Sequence, residues 1–205
     1  MASKDKKAPG ASVTREAQSE VRKNEIVQAF ARSVRKRGFS KTSLTNIAIE
    51  AEMSPSHIRY YFEGKEAIVE TYLETTCAQI LDRIREIKTD DPERWFDEFT
   101  SFVIENSWIT PARLSVQMEI FGSSVHDEKL KRIKVDYDRE MRNILQSFFE
   151  DIGCAEELTP MIAAEIAQAL EAGLKYNAVF QEKFDPVHAR LIYTSGIRVL
   201  TGTLV

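Results

Sequence analysis

Five of the six prolines in this chain of 205 residues directly follow a residue that can cap a helix: Ser54-Pro55, Asp91-Pro92, Thr110-Pro111, Thr159-Pro160 and Asp185-Pro186. A Ser, Thr or Asp oxygen accepts from the orphan amides of a first helical turn, and proline at the first helical position lacks an N–H that would go unpaired there. Each pair therefore marks a helix start. Between these starts the apolar residues recur at the helical spacing, with no convincing strand alternation. The pattern predicts an all-α protein of about nine helices with few long loops.

Residues 1–16 are rich in Lys, Ser, Ala and Pro without an apolar period, and a flexible basic arm is expected there. Ser19 to Arg37 places Val21, Ile26, Val27, Phe30, Ala31 and Val34 on one helical face and exits at Gly38, a residue at ease in the left-handed position past a helix end. Thr42 or Ser43 caps a short second helix through Leu44, Ile47, Ala48 and Ala51. After a break at Glu52-Met53, Ser54-Pro55 opens a third helix through Phe62. Two short helices so close together read as a helix-turn-helix.

Charge divides the same way. Residues 1–65 hold 13 Lys+Arg against 7 Asp+Glu, a net +6, whereas 66–205 hold 15 against 25, a net −10. A basic segment within an acidic protein suits a polyanion partner, although a solvated helix face with a basic tail has the same composition. A recognition helix enters the major groove with its first turn leading. Ser56, His57, Tyr60 and Tyr61 are then placed to meet bases or phosphates, while Ile58 and Phe62 turn into the small core. Solvent exposure for His57, and packing on the first helix for the two tyrosines, are the alternatives. The Ser54 hydroxyl is expected to be committed to its cap.

Beyond Lys65, the residues Ala67, Ile68, Leu73, Ile80, Leu81, Ile84 and Ile87 mark a long linking helix. Helices follow from near Pro92 and Pro111. Another runs from His126 or Asp127 along a stripe of Leu130, Ile133, Tyr137, Met141, Ile144, Leu145, Phe148 and Phe149, ending at Gly153, and two more start at Pro160 and Pro186. The last two interleave small residues with large apolar ones and resemble an oligomer seam, through Ala167, Leu170, Gly173 and Leu174 on one and Leu191, Ser195 and Val199 on the other. The alternative is an intrachain core. Trp95, Phe99, Trp108, Met118, Phe121, Tyr137, Met141 and Tyr176, with Glu119 and Asn177 among them, suit a small-molecule cavity, though plain core packing uses the same residues.

Other classes lack their signatures. No run approaches the roughly 18 apolar residues of a membrane span, and the amino terminus lacks the apolar core of a secretory signal. Cys77, Cys154 and three histidines show no C-x-x-C or H-x-x-x-H spacing, so no metal or cofactor is expected. With no Gly-rich phosphate loop, G-x-S-x-G elbow or H-E-x-x-H helix, the chain is not expected to be an enzyme. A cytoplasmic protein with reduced thiols is the expectation.

The runs Gly38-Phe39-Ser40-Lys41-Thr42-Ser43-Leu44-Thr45-Asn46-Ile47-Ala48, Ala51-Glu52-Met53-Ser54 and Ile58-Arg59-Tyr60-Tyr61-Phe62-Glu63-Gly64-Lys65-Glu66-Ala67-Ile68 together resemble the DNA-binding domain of the TetR family of transcriptional regulators. Ser56 stands where the family often has glycine, His57 where it has threonine or serine, and Arg59 where an aromatic is frequent, so the bases read are expected to differ. The resemblance implies DNA contacts from Thr42, Ser43, Ser54, Ser56, His57, Tyr60, Tyr61 and Lys65, the last gripping a phosphate. It implies a DNA-binding domain over 17–65 and an effector-binding and dimerisation domain over 66–205. Leu170-Glu171-Ala172-Gly173-Leu174 resembles the family's Gly-containing element in a four-helix dimer interface. A repressor is implied that binds a palindromic double-stranded operator as a homodimer, with a small-molecule effector that releases it by tilting the linking helix. The alternative is a DNA-binding protein that recruits a protein partner through its acidic body and has no effector.

Overall fold

The computed structural model describes residues 10–105 and 110–202. Among them are nine α-helices and no strand: α1 Gly10–Arg37, α2 Leu44–Glu50, α3 Pro55–Tyr61, α4 Lys65–Glu86, α5 Pro92–Thr100, α6 Pro111–Ser124, α7 Glu128–Ile152, α8 Pro160–Phe180 and α9 Pro186–Thr201. All five cap-proline pairs start helices. Ser54, Asp91, Thr110, Thr159 and Asp185 are the N-caps, each accepting from a first-turn amide, a contact worth about 1 kcal/mol. Ser43, not Thr42, caps α2, in a reciprocal box with Asn46. Asp127, not His126, caps α7.

Two differences from the sequence reading have local causes. Helix α1 begins at Gly10, so it extends through part of the stretch expected to be an arm, whose first nine residues lie outside the described ones. Glu16, Ala17 and Gln18, which join this extension to the expected start at Ser19, are good helix formers and exposed, and apolar periodicity does not register a helix without a buried side. After α5 the helix continues as one wider turn, Ser101–Glu105, which preserves burial of Val103 and Ile104.

The chain divides into two compact units, Met1–Tyr72 and Leu73–Val205. The division falls inside α4 rather than at the expected Lys65/Glu66 junction, because the first turns of α4 belong to the first core. Ile68 and Val69 are buried, and Tyr72 meets the Phe30 ring edge-on at 5.4 Å. Ile26, Phe30, Val34, Ile47, Ala48, Ile58 and Phe62 complete that core. In the second unit α7 packs along α8, and α5 and α9 close the core around Phe99, Phe149 and Tyr193.

Candidate nucleic-acid interface and ligand cavity

In the first unit, Arg32 donates to the Glu50 carbonyl at 2.9 Å while Lys36 and Arg37 pair with the Glu50 carboxylate at 2.8 and 3.2 Å. This clamp fixes the end of α2 against α1, and the Lys36 hydrogen bond, with help from Arg37, holds the Glu50 carboxyl below its ordinary range. The turn between α2 and α3 passes through Glu52 at φ 55°, a left-handed conformation that non-glycine residues adopt rarely. The Met53 amide donates to the Ala48 carbonyl at 2.9 Å and helps hold the turn.

Helix α3 buries Ile58 and presents the rest. Ser56, His57, Arg59 and Tyr60 are exposed, with Tyr60 at 75%. Tyr61 is half-buried, 5.0 Å from the Tyr60 ring and 5.5 Å from the His57 ring. Ser54 accepts from the His57 amide at 3.1 Å and lies 3.0 Å from the Ser56 hydroxyl. Thr42 is buried and donates to the Gly38 carbonyl at 2.9 Å, so its hydroxyl is used inside the unit. Ser43 is exposed, though its oxygen serves the α2 cap. Lys65 is half-buried: its ammonium donates to the Phe39 carbonyl at 2.7 Å and lies 4.1 Å from the Phe39 ring centroid. Desolvation lowers its pKa. Arg59 was not among the sequence-derived site residues. Its charge and its position three residues after Ser56 on a face without buried neighbours were the available signal.

In the second unit a cavity of about 350 Å³ opens between α4, α6, α7 and α8. Met118, Phe121, Tyr137 and Tyr176 line it. The remaining aromatic and sulfur residues expected there do not. Trp95 and Phe99 stack at 5.1 Å in the core, and Met141 is buried beside them. The expectation is corrected for Phe99 and Met141, which fill the core, while Trp95 borders a separate cavity of about 650 Å³ with Ile84, Asn143 and Phe148. Glu119 and Asn177 are exposed and outside the lining, being placed by helix rotation on the solvent side. Trp108 lies outside the described residues. Sequence reasoning missed the polar lining of Lys134, Asp138, Gln168, Glu171 and Lys175, because an i,i+4 ion pair has the same spacing on a solvated face. Lys134 pairs with Asp138 and Lys175 with Glu171, and the Glu171 side chain is only 6% exposed. Burial, with the Glu171 charge adding to it, raises the Tyr137 pKa well above its ordinary value. Cys77 also lines the cavity, and burial pushes its thiol up to about 12, so it is not a nucleophile near neutrality.

The expected seam residues separate by face. Gly173, Leu191, Ser195 and Val199 are exposed. Ala167 and Leu174 are buried within the protomer, and Leu170 packs over Gly196, where an added Cβ would meet its Cδ2 at 2.5 Å. Ala167 and Leu174 are corrected to intrachain packing, since the small side chains of α8 admit α7, while Leu170 stays half-buried where Gly196 of α9 admits it. Nine of the fourteen exposed large apolar side chains among the described residues lie on α8 and α9. Among the described residues no helix is long and apolar enough to cross a membrane, and no three His, Cys, Asp or Glu side chains group as a metal site requires.

A short exposed helix held on a three-helix core is the arrangement of a helix-turn-helix DNA-binding domain. Residues 26–72 match the family described as bacterial regulatory proteins, tetR family. The HTH-type transcriptional regulator BetI of Burkholderia thailandensis is 24% identical over 75% of this chain and 77% of its own length. Among solved structures, a TetR transcription regulator from Haloarcula marismortui superposes with a TM-score of 0.81 at 17% identity, covering 88% of this chain and 98% of the other. A transcriptional regulator from Saccharomonospora viridis, solved in complex with choline, gives 0.74 at 22% identity over 88% and 96%. Residues 26–72 thus carry a helix-turn-helix domain of the TetR family, and the relatives that match along most of the chain are transcriptional regulators rather than enzymes.

Proposed function

We propose that this regulator is a repressor that binds a palindromic operator as a homodimer and leaves it when a small molecule fills the α4/α6/α7/α8 cavity. The cavity itself is the observation that carries the reading, because a body serving only to recruit a partner has no reason to keep about 350 Å³ empty. Its lining mixes aromatic rings with a few convergent polar groups, the composition of a ligand site. The Saccharomonospora viridis neighbour was solved with choline, which supports a small-molecule effector for this fold.

The dimer rests on the exposed stripe of α8. Ile162, Ile166, Ala169, Gly173, Tyr176 and Phe180 alternate spacings of four and three residues on an exposed face, the register of a helix-packing seam. Leu191, Ile192, Ser195 and Val199 form a companion stripe on α9. Two such pairs make a four-helix interface with two-fold symmetry, and a two-fold protein matches a palindromic site. Ser56, His57, Arg59 and Tyr60 then read or grip each half-site, and Lys65 adds a phosphate contact from the donors it does not spend on Phe39.

Selection of bound DNA from random sequence tests the reading in one step. The expected product is a palindrome whose half-sites lie about one helical turn apart, roughly 34–36 Å, or a multiple of that. Recovered sites without two-fold symmetry, or a monomer in sedimentation with DNA bound, overturn the dimeric operator.

A further inference from the structure

Resting on the reading of this cavity as the effector site, we propose that Lys175 is a tethered stand-in for the ligand: its ammonium fills a cation subsite that belongs to a small organic cation, above all a quaternary ammonium. Glu171 is the centre of that subsite. Its carboxylate is nearly sealed from solvent and lines the cavity, with Lys175 one turn on as its ion-pair partner. A carboxylate this buried is costly to keep ionised without a cation beside it. Lys175 is not held as firmly, since it lies on a four-carbon stem and its side chain keeps 22% exposure.

That asymmetry decides the sign of the ligand. An anion would draw on Lys134 and Lys175 and leave Glu171 buried and unpaired, which is the costly arrangement. A cation takes over at Glu171 and lets Lys175 swing out into water. The exchange favours a quaternary ammonium, because a primary ammonium is compact and strongly hydrated and regains that hydration on leaving. The cavity already shows how it treats such a charge. The Lys134 ammonium pairs with Asp138 while lying 4.9 Å from the Phe121 ring centroid, which is the carboxylate-plus-aromatic environment that quaternary ammonium ligands select. Tyr137 and Tyr176 supply two further rings to the same lining.

The test is calorimetric titration of the full chain with choline, with its uncharged isostere 3,3-dimethylbutan-1-ol and with 3,3-dimethylbutanoate. Choline is expected to bind at least about tenfold more tightly than either. Lys175→Met, which removes the competitor, should tighten choline binding by about tenfold and leave the alcohol unchanged. Lys183→Met, an exposed lysine outside the lining, should change neither. This gain of affinity cannot arise from misfolding. Glu171→Gln should abolish the preference for choline over the alcohol, and if that variant fails to fold the Lys175→Met result stands by itself. Equal binding of the isostere, preference for the carboxylate, no gain in Lys175→Met, or no binding by any probe up to about 10 mM overturns the proposal. If the choline results hold but operator affinity does not change, the cation subsite stands and effector gating falls. If the alcohol or the carboxylate binds as tightly as choline and releases operator, gating stands and the cation subsite falls.

Discussion

Glu50, His57 and Lys65 are legible in the sequence as polar residues on a helix-turn-helix, but their work differs. Glu50 lies under the Lys36 and Arg37 ion pairs, and its pKa is depressed from an ordinary 4.5. A depressed carboxylate contributes stability above its unfolded-state value and loses it as pH falls through the folded one. Wild-type protein should therefore melt higher than Glu50→Gln at neutral pH, with the difference vanishing on acidification below 4.5; melting curves of both across that range check it, and a constant gap would exclude the clamp. His57 is exposed on the leading turn of α3. His57→Ala should relax base preference at one position per half-site by about 1–3 kcal/mol, read by binding to single-base operator variants. Lys65 does two things at once. Its bond to the Phe39 carbonyl means that Lys65→Ala should lower stability by about 1 kcal/mol. Loss of a phosphate contact would also reduce the log–log salt slope of DNA binding by about 0.9. A lower melting temperature with an unchanged slope would make the lysine purely structural.

At the scale of the element, two glycines on neighbouring helices have opposite surroundings. A side chain at Gly173 would meet nothing within 4 Å, whereas one at Gly196 would run into Leu170. Gly173→Glu is thus expected to leave helix content and melting of the protomer intact while shifting sedimentation from dimer to monomer. Gly196→Leu should instead destabilise the protomer by about 1–3 kcal/mol through overpacking between α8 and α9. The small residues of α8 were readable as a sign of close helix approach. Which neighbour they approach was not: Ala163, Ala164 and Ala167 are fully buried in the protomer, and Gly173, one turn and a half further on, faces out.

For the whole molecule, the proposed regulation is a coupling between a DNA face in one unit and a cavity in the other, and α4 runs across the division between the units. An effector shifts the balance only as far as it binds the DNA-incompetent form more tightly than the other. Binding coupling is reciprocal, so saturating operator should weaken effector affinity by the factor by which saturating effector weakens operator affinity. Paired titrations of the full chain measure both factors, and unequal values would mean that the two ligands do not act on one equilibrium.

The sequence by itself determined where the five cap-proline helices begin, because a cap and a proline act within one turn of each other, and it determined the helix-turn-helix, whose spacing lies within 21 residues from Thr42 to Phe62. Tertiary structure alone decided that Phe99 and Met141 fill a core while Phe121 and Tyr137 line a void, and that the Lys134–Asp138 and Lys175–Glu171 pairs face inward. Periodicity identifies a stripe on one helix. What the stripe faces is supplied by helices far away in the chain, and the energy of a buried carboxylate depends on that distant neighbour rather than on its own spacing.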